Sequence, residues 1–231
     1  MPELDTDIRY LAGVGEARAK TLRKLGIATL RDLVNYFPRS YEDRKLYPSI
    51  SSLPLGENGA VVAMVASTPT LSRIRKGLSL VKFRAVDESG SLEITFFNRP
   101  YAKEQFHRGE SYVFYGRVEG NLLRRQMNNP VVEKEGASQL TGGIVPIYPL
   151  TAGVTQTLLL KLMRQGLSAV IGKLPEELPE DVRRSHNLCY VDYAYENVHF
   201  PASPEALEIA RRRLVFEELF FLTAGLRLWR S

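Results

Sequence analysis

The spacing of apolar residues changes character along the chain. Over residues 7–37, Ile8, Leu11, Val14, Leu22, Leu25, Ile27, Leu30, Leu33 and Val34 recur at mixed intervals of three and four, which predicts short helices. Gly13 and Gly15 interrupt that pattern early. Gly26 suits a helix C-terminal stop, Thr29 suits the N-cap of the next helix, and Phe37-Pro38 ends it. Residues 48–59, with Pro48, Ser49, Ser51, Ser52, Pro54, Gly56 and Gly59, read as a linker. Beyond it the period falls to two. Runs at 61–66, 78–86, 92–96 and 112–118 predict strands, and Leu122 to Met127 predicts a short one after the turn signal Gly120-Asn121. Arg99 to Phe106 reads as a short helical stretch between the third and fourth of these. Helical spacing returns at 155–171 and again after Ser203-Pro204-Glu205, an N-cap, a proline in the first turn and an acid beside it.

Four or five strands with a helix between the third and fourth is the layout of an OB-fold, a small barrel that often holds single strands; a generic small β-barrel is the alternative. The expected class is α+β: a helical segment over 1–50, an OB-fold barrel over 58–135, and a helical region over 140–231. The last helix runs towards Ser231 without a stop signal. That suggests a piece cut from a longer protein, against the alternative of a C-terminal helix that simply docks.

Composition narrows the classes. A 44% hydrophobic and 25% charged chain of 231 residues is a folded one. No apolar run is long enough to span a membrane, and the acidic start Met-Pro-Glu-Leu-Asp is unlike a signal peptide. The single Cys189 allows no internal disulfide and fits a reducing cytoplasm. Residues 60–135 carry 12 Lys+Arg against 8 Asp+Glu, whereas 136–231 balance at 10 and 10. The positive excess therefore lies in the first two thirds, where it favours a polyanionic partner.

Candidate chemistry is confined to binding. Gly13-Val14-Gly15 before a helix, followed by Arg18, Lys20, Arg23 and Lys24, resembles a helix-hairpin-helix element whose N–H groups meet a phosphate; a tight turn with a solvated basic face is the other reading. Ala19-Lys20-Thr21 imitates the end of a nucleotide-binding loop but lacks the glycines at 14 and 19 and a preceding strand, so ATP binding there is rejected. Arg73-Ile74-Arg75-Lys76-Gly77 reads either as a basic hairpin tip that clamps phosphates or as a solvated turn. In Phe96-Phe97-Asn98-Arg99-Pro100-Tyr101, Phe96 continues the inward set of Leu92 and Ile94, so Phe97 faces outward. With Arg99 and Tyr101 it could stack on bases, or both rings could pack under loops. His107, His186, His199 and Cys189 lack metal-ligand spacing, no nucleophile elbow or paired carboxylates stand out, and Arg211-Arg212-Arg213 reads as a solvated face.

Several strings taken together resemble the N-terminal region of the RecG family of ATP-dependent DNA helicases. They are Leu11-Ala-Gly-Val-Gly-Glu-Ala-Arg-Ala, Leu25-Gly-Ile, Asp32-Leu33, Phe37-Pro38-Arg39, Tyr41-Glu42-Asp43-Arg44, Phe97-Asn98-Arg99-Pro100-Tyr101, Val145-Pro146-Ile147-Tyr148-Pro149-Leu150, His199-Phe200-Pro201, Arg211-Arg212-Arg213-Leu214 and Phe216-Glu217-Glu218-Leu219. They fall in the family's order and cover nearly the whole chain. The resemblance implies an OB-fold wedge that splits the arms of stalled forks and Holliday junctions, with two aromatics stacked on bases at the branch point. The matching positions are Phe97 and Tyr101. Together with the readings of the residues above, the expected DNA-binding set is Phe97, Asn98, Arg99, Tyr101, Arg73, Arg75, Lys76, Gly13, Gly15 and Lys20. Motor domains that use ATP and magnesium would follow, and this piece needs no cofactor of its own. The parent is expected to be bacterial, cytoplasmic and monomeric, with branched DNA as partner and neither a membrane nor a small-molecule substrate. The long leading helical bundle of some members is short or absent here. The rival readings are a general OB-type binder of single strands or tRNA, and a protein-interaction domain.

Overall fold

A computed structural model describes residues 3–135 and 143–229. It resolves into two compact units, residues 43–143 and residues 1–42 with 144–231. The sequence suggests three consecutive segments; the two helical ones here form a single unit.

The N-terminal elements are a 3-10 turn at Ile8–Tyr10, α1 (Glu16–Arg23), α2 (Leu30–Val34) and β1 (Ser40–Asp43). Gly26 stops α1 as expected, at φ +80°. Its N–H reaches the Arg23 carbonyl at 3.0 Å, and the Ile27 N–H reaches Leu22 at 3.2 Å. That pair is the Schellman arrangement, with Leu22 and Ile27 both buried. Thr29 caps α2 reciprocally with Asp32: the Asp32 N–H donates to Thr29 Oγ1 at 3.2 Å and the Thr29 N–H to Asp32 Oδ2 at 2.9 Å. Burial opposes the Asp32 charge, yet N–H groups of Ala28 and Thr29 and the Thr29 hydroxyl hold its carboxyl below the usual range.

The barrel unit contains β2 (Leu46–Tyr47), β3 (Asn58–Val65), β4 (Thr70–Arg75), β5 (Leu78–Asp87), β6 (Gly90–Phe97), α3 (Ala102–Gln105), β7 (Ser111–Gly120), β8 (Arg125–Asn128) and β9 (Val131–Lys134). β3 pairs antiparallel with both β5 and β7, β5 with β6, and β7 with β8. The ring closes through a parallel pairing of β6 with β8, Leu92 opposite Arg125. This is an OB-fold barrel. Its core holds Val61, Ala63, Val65, Val81, Phe83, Leu92, Ile94, Phe96, Phe106, Phe114 and Met127, the inward sets of the alternating runs.

Four details of the expected strand plan are corrected. Residues 48–59 are not a free linker: Ile50 and Leu53 are buried in the barrel core, and the Ile50 N–H donates to Asp87 Oδ2 at 2.6 Å. The Ser, Pro and Gly around them masked two core residues. Arg73 and Arg75 stand on β4, and only Lys76-Gly77 form the turn; the polar strand lacked an alternating apolar signal. The helical stretch after β6 is one turn, Ala102–Gln105. β7 runs through Gly120, so the turn lies at 121–124 and β8 starts only at Arg125. Gly120 has φ +97°, and a Cβ there would stand 2.0 Å from the Arg124 carbonyl oxygen, so only glycine fits.

The helical unit is completed by β10 (Ile144–Ile147), α4 (Gln156–Val170), α5 (Glu180–Ser185), α6 (Val191–His199) and α7 (Pro204–Trp229). β10 pairs with β1. Gly166 of α4 lets Leu33 approach so closely that a Cβ would meet its Cδ2 at 2.8 Å. Ser203 caps α7 through the Ala206 N–H at 3.1 Å. His199 is fully buried, hydrogen-bonded to the Val34 carbonyl at 2.7 Å and the Tyr148 hydroxyl at 2.8 Å. Arg213 is also fully buried, where it pairs with Glu176 and Glu217 and donates to the Cys189 carbonyl at 3.1 Å. Arg211-Arg212-Arg213 is therefore not a wholly solvated face, because its third member anchors the unit. The end of the chain, Arg230 and Ser231, lies outside the described residues. No helix among the described residues is long and apolar enough to cross a membrane.

Candidate nucleic-acid interface

Strand alternation places Phe97 on the outer face at the end of β6, and the turn that follows presents Tyr101. Phe97 is 38% exposed and Tyr101 63% exposed, whereas Phe96 is buried. Neither exposed ring contacts another aromatic ring among the described residues. The turn is held rigidly. Asn98 takes φ +54°, its N–H donates to the Ser79 carbonyl at 2.8 Å, and its Oδ1 accepts from the Ser79 N–H at 3.0 Å. Asn129, also left-handed at φ +48°, accepts from the Phe97 N–H at 2.9 Å. Asparagine tolerates this conformation better than other side-chain-bearing residues. The Phe97 backbone is thus clamped by a neighbouring strand and by the loop after β8.

Cations flank this turn. Arg99 lies over the Phe96 ring at 5.9 Å. Ser79, the partner of Asn98, pairs with Arg73 across β4 and β5. Arg73 therefore sits two strands from Asn98, about 10 Å away, and the Arg75 and Lys76 hairpin end lies at the same end of the barrel. Among the described residues none of Arg73, Arg75 and Lys76 has an ion pair.

Gly13, Gly15 and Lys20 belong to the helical unit. Gly13 has φ +85°, and Gly15 caps α1 with no side-chain hydrogen bond. All four cations of the α1 segment are exposed, but Arg18 folds back onto the Gly13 carbonyl at 2.5 Å and Arg23 pairs with Asp7 at 2.7 Å, which leaves Lys20 and Lys24 without an ion pair among the described residues. The first of two helices in the expected motif is only the 3-10 turn at Ile8–Tyr10. Among the described residues no strand precedes Lys20, and Ala19 is buried where a phosphate loop needs glycine, so these residues do not fit a nucleotide. No cluster of metal-ligating side chains occurs among the described residues.

The sequence profile of the RecG wedge domain matches residues 7–170. The chain belongs to the RecG wedge family. The ATP-dependent DNA helicase RecG of Thermotoga maritima is 36% identical over 227 residues, which cover 95% of this chain and 28% of that protein. The RecG of Bacillus subtilis is 31% identical, over 98% of this chain and 33% of that protein. A solved structure described as RecG bound to a three-way DNA junction superposes on the whole chain with a TM-score of 0.83 and 32% identity, covering 32% of that chain. The chain thus spans about a third of the length of the RecG relatives it matches.

Within this RecG wedge fold, four of the sequence-predicted residues (Phe97, Asn98, Arg99 and Tyr101) share one turn. Arg73, Arg75 and Lys76 come to the same barrel end. Asn98 differs from the rest because its side chain already accepts a hydrogen bond inside the turn. Sequence reading missed Asn129, which shapes the Phe97 backbone from a distant loop. Its only sequence signal is the turn-forming pair Asn128-Asn129 before Pro130.

Proposed function

We propose that this chain is the DNA-binding wedge region of an ATP-dependent helicase that recognises and remodels branched DNA in recombination and repair. Two outward aromatics on a rigid turn, ringed by cations at one end of an OB-fold barrel, carry the reading. Such rings cap bases that lose their partners where a duplex parts, and base stacking contributes about 1–3 kcal/mol per base. Unpairing requires a comparable few kcal/mol, so a stacked pair offsets much of it. The cations hold phosphates without reading sequence. The overall similarity to a junction-bound RecG supports branched DNA as the partner. In this reading the motor domains that consume ATP and magnesium lie elsewhere in a monomeric bacterial parent, working in the cytoplasm.

Competition of forked against plain duplex DNA in a gel shift tests it. Wild type is expected to prefer the fork, and Phe97→Ala with Tyr101→Ala to lose most of that preference while melting normally. A double variant with the wild-type preference would refute the aromatic role.

A further inference from the structure

Phe97 is the last residue of β6, and the chain turns immediately after it. A strand that turns away from its neighbours loses its ladder bonds at that point. Two asparagines prevent the loss, one on each side of Phe97.

On the β5 side the register sets Leu80 opposite Phe97, so the next pair is Ser79 with Asn98. A hydrogen-bonded antiparallel pair exchanges two bonds, each N–H donating to the other residue's main-chain carbonyl. The first bond forms: the Asn98 N–H donates to the Ser79 carbonyl at 2.8 Å. The second is made by a substitute, because the Ser79 N–H donates to Asn98 Oδ1 at 3.0 Å. On the β8 side the ladder is parallel, with Thr95 opposite Asn128, and the Asn129 N–H donates to the Thr95 carbonyl at 2.8 Å. The next rung of a parallel ladder would join the Phe97 N–H to the Asn129 main-chain carbonyl. That N–H instead meets Asn129 Oδ1 at 2.9 Å. Both asparagines are left-handed, at φ +54° and +48°. The left-handed backbone turns each chain out of the sheet, and the side-chain carbonyl takes the rung that the main-chain carbonyl leaves. Phe97 therefore stays fully paired at the very end of its strand.

Tyr101 is held by other means. It leads into α3, where Ala102 and the following Phe106 are buried in the barrel core, and its carbonyl accepts from the Glu104 N–H at 3.1 Å. Among the described residues no hydrogen bond joins Tyr101 to either asparagine.

We propose that Asn98 and Asn129 are positioning residues that set the Phe97 ring for the branch point, acting through Phe97 rather than on the DNA. The proposal rests on the wedge reading for what Phe97 meets. It moves Asn98 from the expected DNA contacts to the frame behind them, and it adds Asn129 from a connection 32 residues further along the chain. A side chain ordered before binding spares the complex the cost of ordering it, a factor of roughly two to ten in affinity.

The test separates the acceptor oxygen from the backbone. Asn129→Gly keeps the left-handed conformation and removes the oxygen, whereas Asn129→Asp keeps both. Asn129→Gly is expected to lower the preference for forked over plain duplex DNA by roughly two- to tenfold. It should also open the Phe97 amide to hydrogen exchange while the Ser79 amide stays protected. Asn129→Asp is expected to bring both readouts back near wild type. Asn98→Gly is expected to lower the preference by a similar factor and to open the Ser79 amide. Two backgrounds then separate positioning from general loosening. Added to Phe97→Ala, Asn129→Gly should lower the preference no further; added to Tyr101→Ala, it should cost its full factor. An equal loss in both backgrounds would overturn the positioning role. So would an Asn129→Gly variant with wild-type preference, or an Asn129→Asp variant that fails as glycine does. A wild type that ignores forks defeats the wedge reading instead, and amide exchange still decides whether the asparagines hold Phe97.

Discussion

The two units differ in what they do with polar groups. The barrel closes on an apolar core and turns most of its cations outward, with Arg73, Arg84, Arg99 and Arg124 exposed and Arg44 and Arg125 the buried exceptions. The helical unit draws polar groups in: His199 and Arg213 are fully buried, and Arg183 and Asn197 nearly so. Its two chain segments are more than 100 residues apart, and specific hydrogen bonds join them, as from His199 to Val34. Outward cations make a surface whose strength depends on salt. Inward polar groups make a core that depends on partner geometry and pH.

The sharpest way to break this contrast is at Arg213. Arg213→Ala leaves the carboxylates of Glu176 and Glu217 facing each other beside a cavity, and loss of one partner of such a buried ionic group costs about 3–5 kcal/mol. Hydrogen exchange should then rise across α4, α6 and α7. Unchanged protection there would contradict the anchoring role.

Next in size is a pH effect. Burial lowers the His199 pKa to about 4 against the Val34 hydrogen bond, which raises it. The unfolded imidazole protonates below about 6.5, whereas the folded one stays neutral until about 4. The unfolded state therefore binds more protons in that window. Stability is full above 6.5 and falls as the pH drops towards 4, by about 3 kcal/mol in all. Urea melts between pH 7 and 4 should show that slope in wild type and lose it in His199→Gln, whatever that variant's absolute stability. A slope that persists in His199→Gln would assign the effect to other groups.

Smaller is the expected effect of Gly120→Ala in the barrel. The left-handed backbone and the Arg124 carbonyl contact make it destabilising by about 1–3 kcal/mol. It should loosen the 121–124 turn without adding any pH dependence, which thermal melts at two pH values would check. A neutral substitution would mean that the β7–β8 connection adapts freely.

The barrel was the more legible region because alternation reports directly on which side chains face in. Leu92, Ile94 and Phe96 going inward put Phe97 outward, as found. The Gly26 stop and the Thr29 cap were equally local signals, and both formed. What escaped was set by distant partners. Ile50 and Leu53 looked like part of a polar linker because much of the core they join, from Val81 to Met127, lies far along the chain. Leu122 and Leu123 looked like strand residues because nothing local distinguishes an apolar turn tip from an apolar strand. The joining of the two helical segments into one unit has no local sequence signature, since it rests on contacts such as Leu33 with Gly166 and His199 with Val34 between distant positions. The outward position of Phe97 was visible from alternation, but Tyr101 lies past the strand and the clamp by Asn129 had no such signal.

The central claim is that Phe97 and Tyr101 stack on bases at a branch. The most direct measurement places 2-aminopurine as the unpaired base at the branch point of a synthetic fork and follows its fluorescence at saturating protein. Wild type should quench it by stacking, and Phe97→Ala with Tyr101→Ala should leave it bright although still bound. Equal quenching by both proteins, or none by wild type, would contradict the account.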